Sequence, residues 1–417
     1  MSDGNEYRFG DFALVCPKIS LKKGKTFSHV GMENISPGYK YVSAKRVKEY
    51  KGSGSKFENK DTLFARITPC LENGKIAQVK NLEQNKGFGS TEFFVFRGIP
   101  EISDSDFVYY YSQTNWFRQN AENSMVGTSG RQRADAGFIS KSIFVFPDLH
   151  TQKKIARILS AYDDLLENNF KRIKLIDEMA RITYEEWFVR LRFPGHEAAP
   201  ENPKTGLLEG WKEVKLGDVL ELIKRGVAPK YVEEGGIMVI NQKCIRDHRI
   251  NLSFVRQTSK DKKIPAEKLV KYSDILVNST GTGTLGRVAQ YFGPNKFCTV
   301  DTHVTIVRAN TLKVSTYILG RFLEHIEPFL VNLGKGATNQ QELAGSDMSV
   351  AIKLKLPPLE LQAKYEDMVK PIFEEIENLQ NQNRRLREAR DILLPRLMTG
   401  MIDVEHYKPE NLLKEVA

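Results

Sequence analysis

The chain is built twice. Phe9-Gly10-Asp11 returns as Leu216-Gly217-Asp218, and the strand-like Asp61–Phe64 returns as Asp274–Val277. Gly74-Lys75-Ile76-Ala77-Gln78 returns as Gly286-Arg287-Val288-Ala289-Gln290. Ser90–Arg97 returns as Asp301–Arg308, and Phe146–Lys154 as Leu356–Lys364. The separations are 207, 213, 212, 211 and 210 residues, always in the same order. Any fold for this sequence must therefore be two copies of a unit of about 210 residues. A stretch rich in proline, glycine and small polar residues, Arg192 to Trp211, joins them.

Each copy divides into two parts. The first is rich in short β-type runs, such as Glu92–Arg97, Ser142–Pro147, His303–Arg308 and Ala351–Pro357. Helical patches follow Ser105 and Ser315. The pattern predicts a mixed α/β (α+β) globule at 1–147 and a second at 211–357. The second part is a long helix, at 148–191 and again at 358–400, with a linker at 192–210 and a tail at 401–417. Its seam alternates four- and three-residue steps through Ile155, Leu159, Tyr162, Leu166, Asn169, Ile173, Ile176, Ala180, Thr183 and Trp187. The second copy gives Tyr365, Val369, Ile372, Ile376, Leu379, Asn383, Leu386, Arg390, Leu393 and Leu397, at a constant offset of 210. That is a heptad seam, and matched seams predict two long helices paired as an antiparallel coiled coil, with a pseudo-two-fold relation between the copies. Pro371 falls inside the second helix and predicts a break near Lys370.

Gly281, Gly283 and Gly286 have the G-x-G-x-x-G spacing of a dinucleotide-binding loop, with Asp301 twenty residues past Gly281. The repeat argues against that reading. The matching segment, Ala65–Gln78, keeps the flanking strands and lacks the glycines. A phosphate-binding loop also needs a helix directly after it. Arg287–Phe292 is instead β-forming and runs into Gly293-Pro294-Asn295. The expectation is a strand, a small-residue turn and another strand.

Lys and Arg outnumber Asp and Glu by 62 to 52, which favours an anionic partner such as nucleic acid. Cys16, Cys70, Cys244 and Cys298 are isolated, so no metal-binding C-x-x-C exists. The start of the sequence lacks the apolar stretch of a signal peptide, and no run is long enough to span a bilayer, so a cytoplasmic location is expected.

With this organisation the chain resembles the specificity subunit of type I restriction-modification systems. The resemblance is carried by the tandem globules and by the segments Phe146–Ile173 and Leu356–Leu386. Glu185–Glu197, Glu209–Leu220 and Leu393–Val404 also resemble the family's central and C-terminal regions. The resemblance implies a non-catalytic DNA-recognition subunit. Each target-recognition domain would read one half of an asymmetric, bipartite double-stranded DNA target. The coiled coil would set the spacing and dock two methyltransferase subunits, and two restriction/translocase subunits would complete the enzyme. No cofactor is expected on this chain, the partners using S-adenosylmethionine and ATP with Mg2+. The family often carries Glu-Gln at the start of each long helix. Here the pairs are Thr151-Gln152 and Leu361-Gln362, which puts helix capping in question.

Phosphates are held by Lys, Arg, hydroxyls and backbone N–H groups, and bases by forked side chains. Three kinds of loop supply them. The repeated turn offers Arg66, Thr68, Asn73 and Lys75, matched by Asn278, Ser279, Thr280, Thr282, Thr284 and Arg287. A second loop offers Ser129, Arg131, Gln132 and Arg133, matched by Lys335, Thr338, Asn339, Gln340 and Gln341. Basic segments at Lys22, Lys23, Lys25 and at Lys224, Arg225 could hold the backbone. For partner docking and helix pairing, the candidates are Ile155, Leu159, Leu166, Ile173, Ile176, Trp187, Ile372, Ile376, Leu379, Leu386, Leu393 and Leu397.

Rival functions lack their chemistry. An adenine methyltransferase would need an Asp/Asn-Pro-Pro-Tyr/Phe motif, and neither Asp-Pro-Pro nor Asn-Pro-Pro occurs. Glu49-Tyr50-Lys51 and Glu58-Asn59-Lys60 have a nuclease-like spacing without an acidic partner just before them. A coiled-coil scaffold, or a DNA-binding protein without a restriction partner, remains the alternative.

Overall fold

The computed structural model describes residues 4–128, 131–293, 297–336 and 341–407. It divides into two compact units, and neither is a contiguous repeat. Unit 1 comprises residues 1–171 and 380–417, and unit 2 comprises residues 172–379.

Unit 1 contains β1 (Asn5–Arg8), β2 (Ala13–Val15), β3 (Thr26–Val30), β4 (Tyr41–Val42), β5 (Arg46–Glu49), β6 (Ser55–Glu58), β7 (Thr62–Ala65), β8 (Ile76–Val79), β9 (Lys86–Gly89) and β10 (Phe93–Gly98). Helices α1 (Ser105–Gln113), α2 (Asn115–Asn123) and α3 (Ala136–Lys141) and strand β11 (Ile143–Phe146) follow. The long α4 (Leu149–Tyr184) then begins. The sheets are β2-β10-β7-β8-β4, β5-β3-β9-β6 and the pair β1-β11. Every residue of β7 and β8 is buried, so both strands are mostly apolar, with Thr62 and Gln78 as their polar residues.

Unit 2 repeats the plan with β12 (Lys212–Lys215), β13 (Leu220–Arg225), β14 (Tyr231–Val232), β15 (Ile237–Ile240), β16 (Arg256–Thr258), β17 (Ile275–Asn278), β18 (Val288–Gln290), β19 (Cys298–Val300) and β20 (Val304–Ala309). Helices α5 (Thr316–His325), α6 (Glu327–Leu333) and α7 (Gly345–Ala351), strand β21 (Lys353–Leu356) and the long α8 (Leu359–Met398) complete it. Its sheets are β13-β20-β17-β18, β14-β16-β15-β19 and the pair β12-β21.

The polar interior repeats as well. Asp61 accepts two hydrogen bonds from Arg97, and Asp274 accepts two from Arg308. Gln78 donates to the carbonyls of Lys60 and Ser105, and Gln290 to those of Ser273 and Thr316. Gln152 and Gln362 fasten the long helices to their globules. Gln152 accepts from Asp104 N–H and donates to the Ile102 and Pro147 carbonyls. Gln362 accepts from Ser315 N–H and donates to the Lys313 and Pro357 carbonyls. Both side chains are buried, so each satisfies backbone groups that water does not reach.

Capping does not depend on a Glu-Gln pair. The Asp148 carboxylate accepts from the N–H groups of His150 and Thr151 and from the Thr151 hydroxyl, which closes the first turn of α4. At the matched position, unit 2 has Pro358, whose missing N–H suits a first helical turn.

The predicted break at Pro371 does not occur, and α8 runs 40 residues without interruption. Pro371 is exposed, so the carbonyl it deprives of a donor can turn to water. The seam pairs antiparallel in each unit. In unit 1, Ile155, Leu159 and Leu166 of α4 share a core with Leu386, Leu397 and partly buried Leu393 of α8. In unit 2, Ile173 packs with Ile376 and Leu379 beside Ile176 and Ile372, and Trp187 joins Tyr365 and Val369. Asn169 Nδ2 donates to Asn383 Oδ1 at 3.0 Å, with both side chains buried.

The C-terminal part of α8 is thus core to the N-terminal globule. Leu397→Ala is expected to cost unit 1 about 2–5 kcal/mol. Hydrogen exchange should show protection lost in 4–128, and retained in 211–357.

Candidate nucleic-acid interface

The first two predicted loops come together in each unit, on the same backbone frame. In unit 1 the turn between β7 and β8 meets the segment after α2. Arg133 forms isolated β-bridges to both Ile67 and Val126, and Ala134 N–H donates to Arg66 O at 2.8 Å. In unit 2, Glu342 bridges Thr280 and Lys335 in the same way, and Leu343 N–H donates to Ser279 O at 2.8 Å. The backbone hydrogen bonds match while the side chains on them differ.

That difference is sharpest at one pair of positions. In unit 1, Arg133 grips Glu92 through a forked pair at 2.8 and 2.9 Å. Arg133 holds Glu92 below the usual carboxylate range, so the clasp is closed at neutral pH and is lost as pH falls through the lowered Glu92 pKa. In unit 2 the matched residues are Glu342 and His303. Glu342 turns to Arg225, which also donates to Leu343 O at 3.1 Å. His303 Nδ1 lies 2.6 Å from the Thr280 hydroxyl. A cleft of about 440 Å³ opens here, lined by Arg225, Gln242, Thr280, Gly281, Thr302, His303, Gln341 and Glu342.

The glycine-rich segment is a turn between antiparallel β17 and β18. Gly281 and Gly286 have φ of 104° and 80°. A Cβ on Gly281 would meet Gln242 Oε1 at 2.3 Å, and one on Gly286 would meet Val331 at 2.8 Å. All three glycines, Gly283 at φ 72° included, are required by their left-handed backbone, and Gly286 also by the Val331 backbone against it. Asp301 accepts from His303 N–H, a local turn contact.

Several predicted contact residues are structural. Asn278 and Ser279 are fully buried, so neither reaches a ligand surface. Asn278 donates to Gln242 O at 3.1 Å, and Ser279 lies 2.5 Å from the Thr305 hydroxyl. Both end a strand whose two faces are covered. Lys75 is committed to the Met32 carbonyl at 2.9 Å. Arg66 lies over the Phe94 ring at 4.8 Å, and the Thr68 hydroxyl is shielded from solvent. Arg287 braces its own turn through the Gly283 and Ile245 carbonyls. Thr284 is turned toward Gln242 and its own loop carbonyls.

Asn73, Arg131, Thr282, Lys335 and Gln341 are exposed, Lys335 pairing with Asp347 at 2.9 Å, and Gln132 is half-buried. Lys224 is exposed and pairs with Glu267. Lys22, Lys23 and Lys25 lie on an exposed turn leading into β3, apart from the stitched loops. Ser129, Thr338, Asn339 and Gln340 lie outside the described residues. The sequence reading passed over Gln242, Thr302, His303 and Glu92. The last three sit in the repeated Ser90–Arg97 and Asp301–Arg308 segments, where the unlike pair Glu92 and His303 was the available signal.

A family model for the type I restriction modification DNA specificity domain matches twice, over residues 1–178 and 208–387. The chain belongs to this family. Similar curated proteins include the type I restriction enzyme MjaIX specificity subunit of Methanocaldococcus jannaschii, 26% identical over 96% of this chain and 89% of that one. The HindI specificity subunit of Haemophilus influenzae is 23% identical over 96% of this chain and 100% of that one. The type-I restriction-modification system S subunit from M. genitalium shares the fold, with a TM-score of 0.52 and 17% identity over 95% of this chain and 96% of that one. Among the described residues, no helix is long and apolar enough to cross a membrane.

The two kinds of residue should separate by experiment. Asn278→Ala should lower stability by about 1–3 kcal/mol, because it strips a partner from the Gln242 carbonyl. Thr282→Ala, at an exposed turn tip, should change stability by less than about 0.5 kcal/mol. Denaturant unfolding of the two variants checks this.

Proposed function

We propose that this chain is the non-catalytic DNA-reading subunit of a type I restriction-modification complex. Each globule reads one half of an asymmetric bipartite target, and the paired helices set the distance between halves. The observation that carries the reading is the stitched loop pair, with one backbone frame and different exposed polar side chains in the two units. A shared frame fixes how a duplex is approached, and divergent side chains let the two halves differ in sequence. Arg131 with Gln132 would read in unit 1. Gln341, His303 and Gln242 would read in unit 2, with Thr282 and Lys335 on phosphates.

Methyltransferase subunits dock on the long helices, and restriction/translocase subunits join the complex. Those partners carry S-adenosylmethionine and ATP with Mg2+. Besides its buried seam, α4 carries a second apolar row at Leu175, Met179 and Ile182, continued by Val189 just past its end. These residues are 65%, 57%, 45% and 47% exposed. A row at this spacing suits a partner's helices.

Binding of the assembled complex to its DNA should weaken steeply with salt. Arg131→Ala should change the bases accepted in one half-site and leave the other half unchanged, read by selection from randomised duplexes. A change in both halves, or in neither, contradicts the assignment. Leu175→Asp with Met179→Asp should abolish co-purification with the methyltransferase while leaving the unfolding midpoint near wild type. Ile173→Asp with Leu386→Asp should lose both assembly and stability.

A further inference from the structure

Repeated helices raise a question of partner choice. Helix α4 could pair with α8 of its own chain or with α4 of a second copy. The seam differs between the two units in two layers. In unit 1 the first layer is Asn169 against Asn383, both buried and hydrogen-bonded to each other. The second is Asp163 against Arg390, an ion pair at 2.5 Å with side chains 2% and 8% exposed. Asp163 also accepts from the Tyr110 hydroxyl at 2.6 Å, and Arg390 donates to Gly38 O at 3.0 Å. Moving each residue by the repeat offset of 210 gives the matching layers of unit 2. They are Leu379 with Ile173, packed in one cluster, and Phe373 with Ala180, buried in another. One end of the seam is polar in two layers, and the other is apolar in both.

We infer that these two polar layers select α8 as the partner of α4 and reject pairing of α4 with α4, or of α8 with α8, of a second copy. The partner numbers in each layer sum to 552 or 553. In an antiparallel pair of two α4 helices the same register places Asn169 against Ile173 and Asp163 against Ala180. In a pair of two α8 helices it places Asn383 against Leu379 and Arg390 against Phe373. Every such layer buries an amide against an aliphatic side chain, or a charge without its counter-ion. By symmetry each mismatch occurs twice. Polar groups buried without partners are costly, and a single buried asparagine is enough to fix pairing in a coiled coil. Only α4 with α8 puts amide on amide and carboxylate on guanidinium.

The test uses the full chain, unfolded in denaturant and refolded as a mixture of isotope-light and isotope-heavy copies. Wild type should return as monomer. A variant carrying Asn169→Leu, Asn383→Ile, Asp163→Phe and Arg390→Ala gives unit 1 the layers of unit 2, so that all pairings become equivalent. It should raise the dimer fraction by roughly tenfold. A lysine cross-linker should then join Lys171 of a light copy to Lys171 of a heavy one. Asn169→Leu with Asn383→Ile leaves the contacts to Tyr110 and Gly38 intact. It should give an intermediate dimer fraction, and keeps the test standing if the fourfold variant does not fold. Refolding of the amide variant to monomer with wild-type yield would overturn the inference. So would dimers whose light–heavy links join only α4 to α8.

Discussion

An amphipathic helix of 36 or 40 residues must cover its apolar seam, and here each long helix covers it with the other. The antiparallel register does more than bury leucines. It makes each compact unit draw on both repeats. The core around Phe9, Phe12 and Tyr162 is completed by Leu397 and Met398 from the far end of α8. The core around Trp211 and Tyr365 takes in Tyr184 and Phe188 from the end of the first repeat. The long helices are therefore part of both globular cores.

On that base the two globules use the same polar fasteners. Gln152 and Gln362 tie helix to globule, and Asp61–Arg97 and Asp274–Arg308 tie strand to strand. The stitched loops are the outermost layer of this repetition. The hydrogen bonds that join the two loops are backbone to backbone, so that frame does not depend on which side chains the loops carry. That leaves Arg131, Gln132, Gln341 and His303 free to differ. A protein that must present different surfaces from one frame has good reason to be built this way.

The repeat, the seam and the turn nature of the glycine-rich segment were legible in the sequence, because each is a matter of spacing. The second apolar row at Leu175, Met179 and Ile182 was also present in the spacing, but the stronger seam obscured it. What spacing could not provide was depth. Asn278 and Ser279 are polar residues in a loop-like context, and their burial comes from a strand covered on both faces. Asp163 lies just off the seam, so its pairing with Arg390 needed the register as well as the period. Pro371 misled because the helix is held by packing on both sides of it, at buried Val369 and Phe373, while the carbonyl it leaves without a donor can turn to water.

The central claim is that two globules on one chain read two different DNA half-sites. The most direct measurement is a methylome, made by co-expressing this chain with a partner methyltransferase subunit and mapping the modified adenines. The account predicts one asymmetric motif, split by a fixed run of unspecified bases and lost when this chain is omitted. A continuous or palindromic motif, or one that survives omission of the chain, would contradict it.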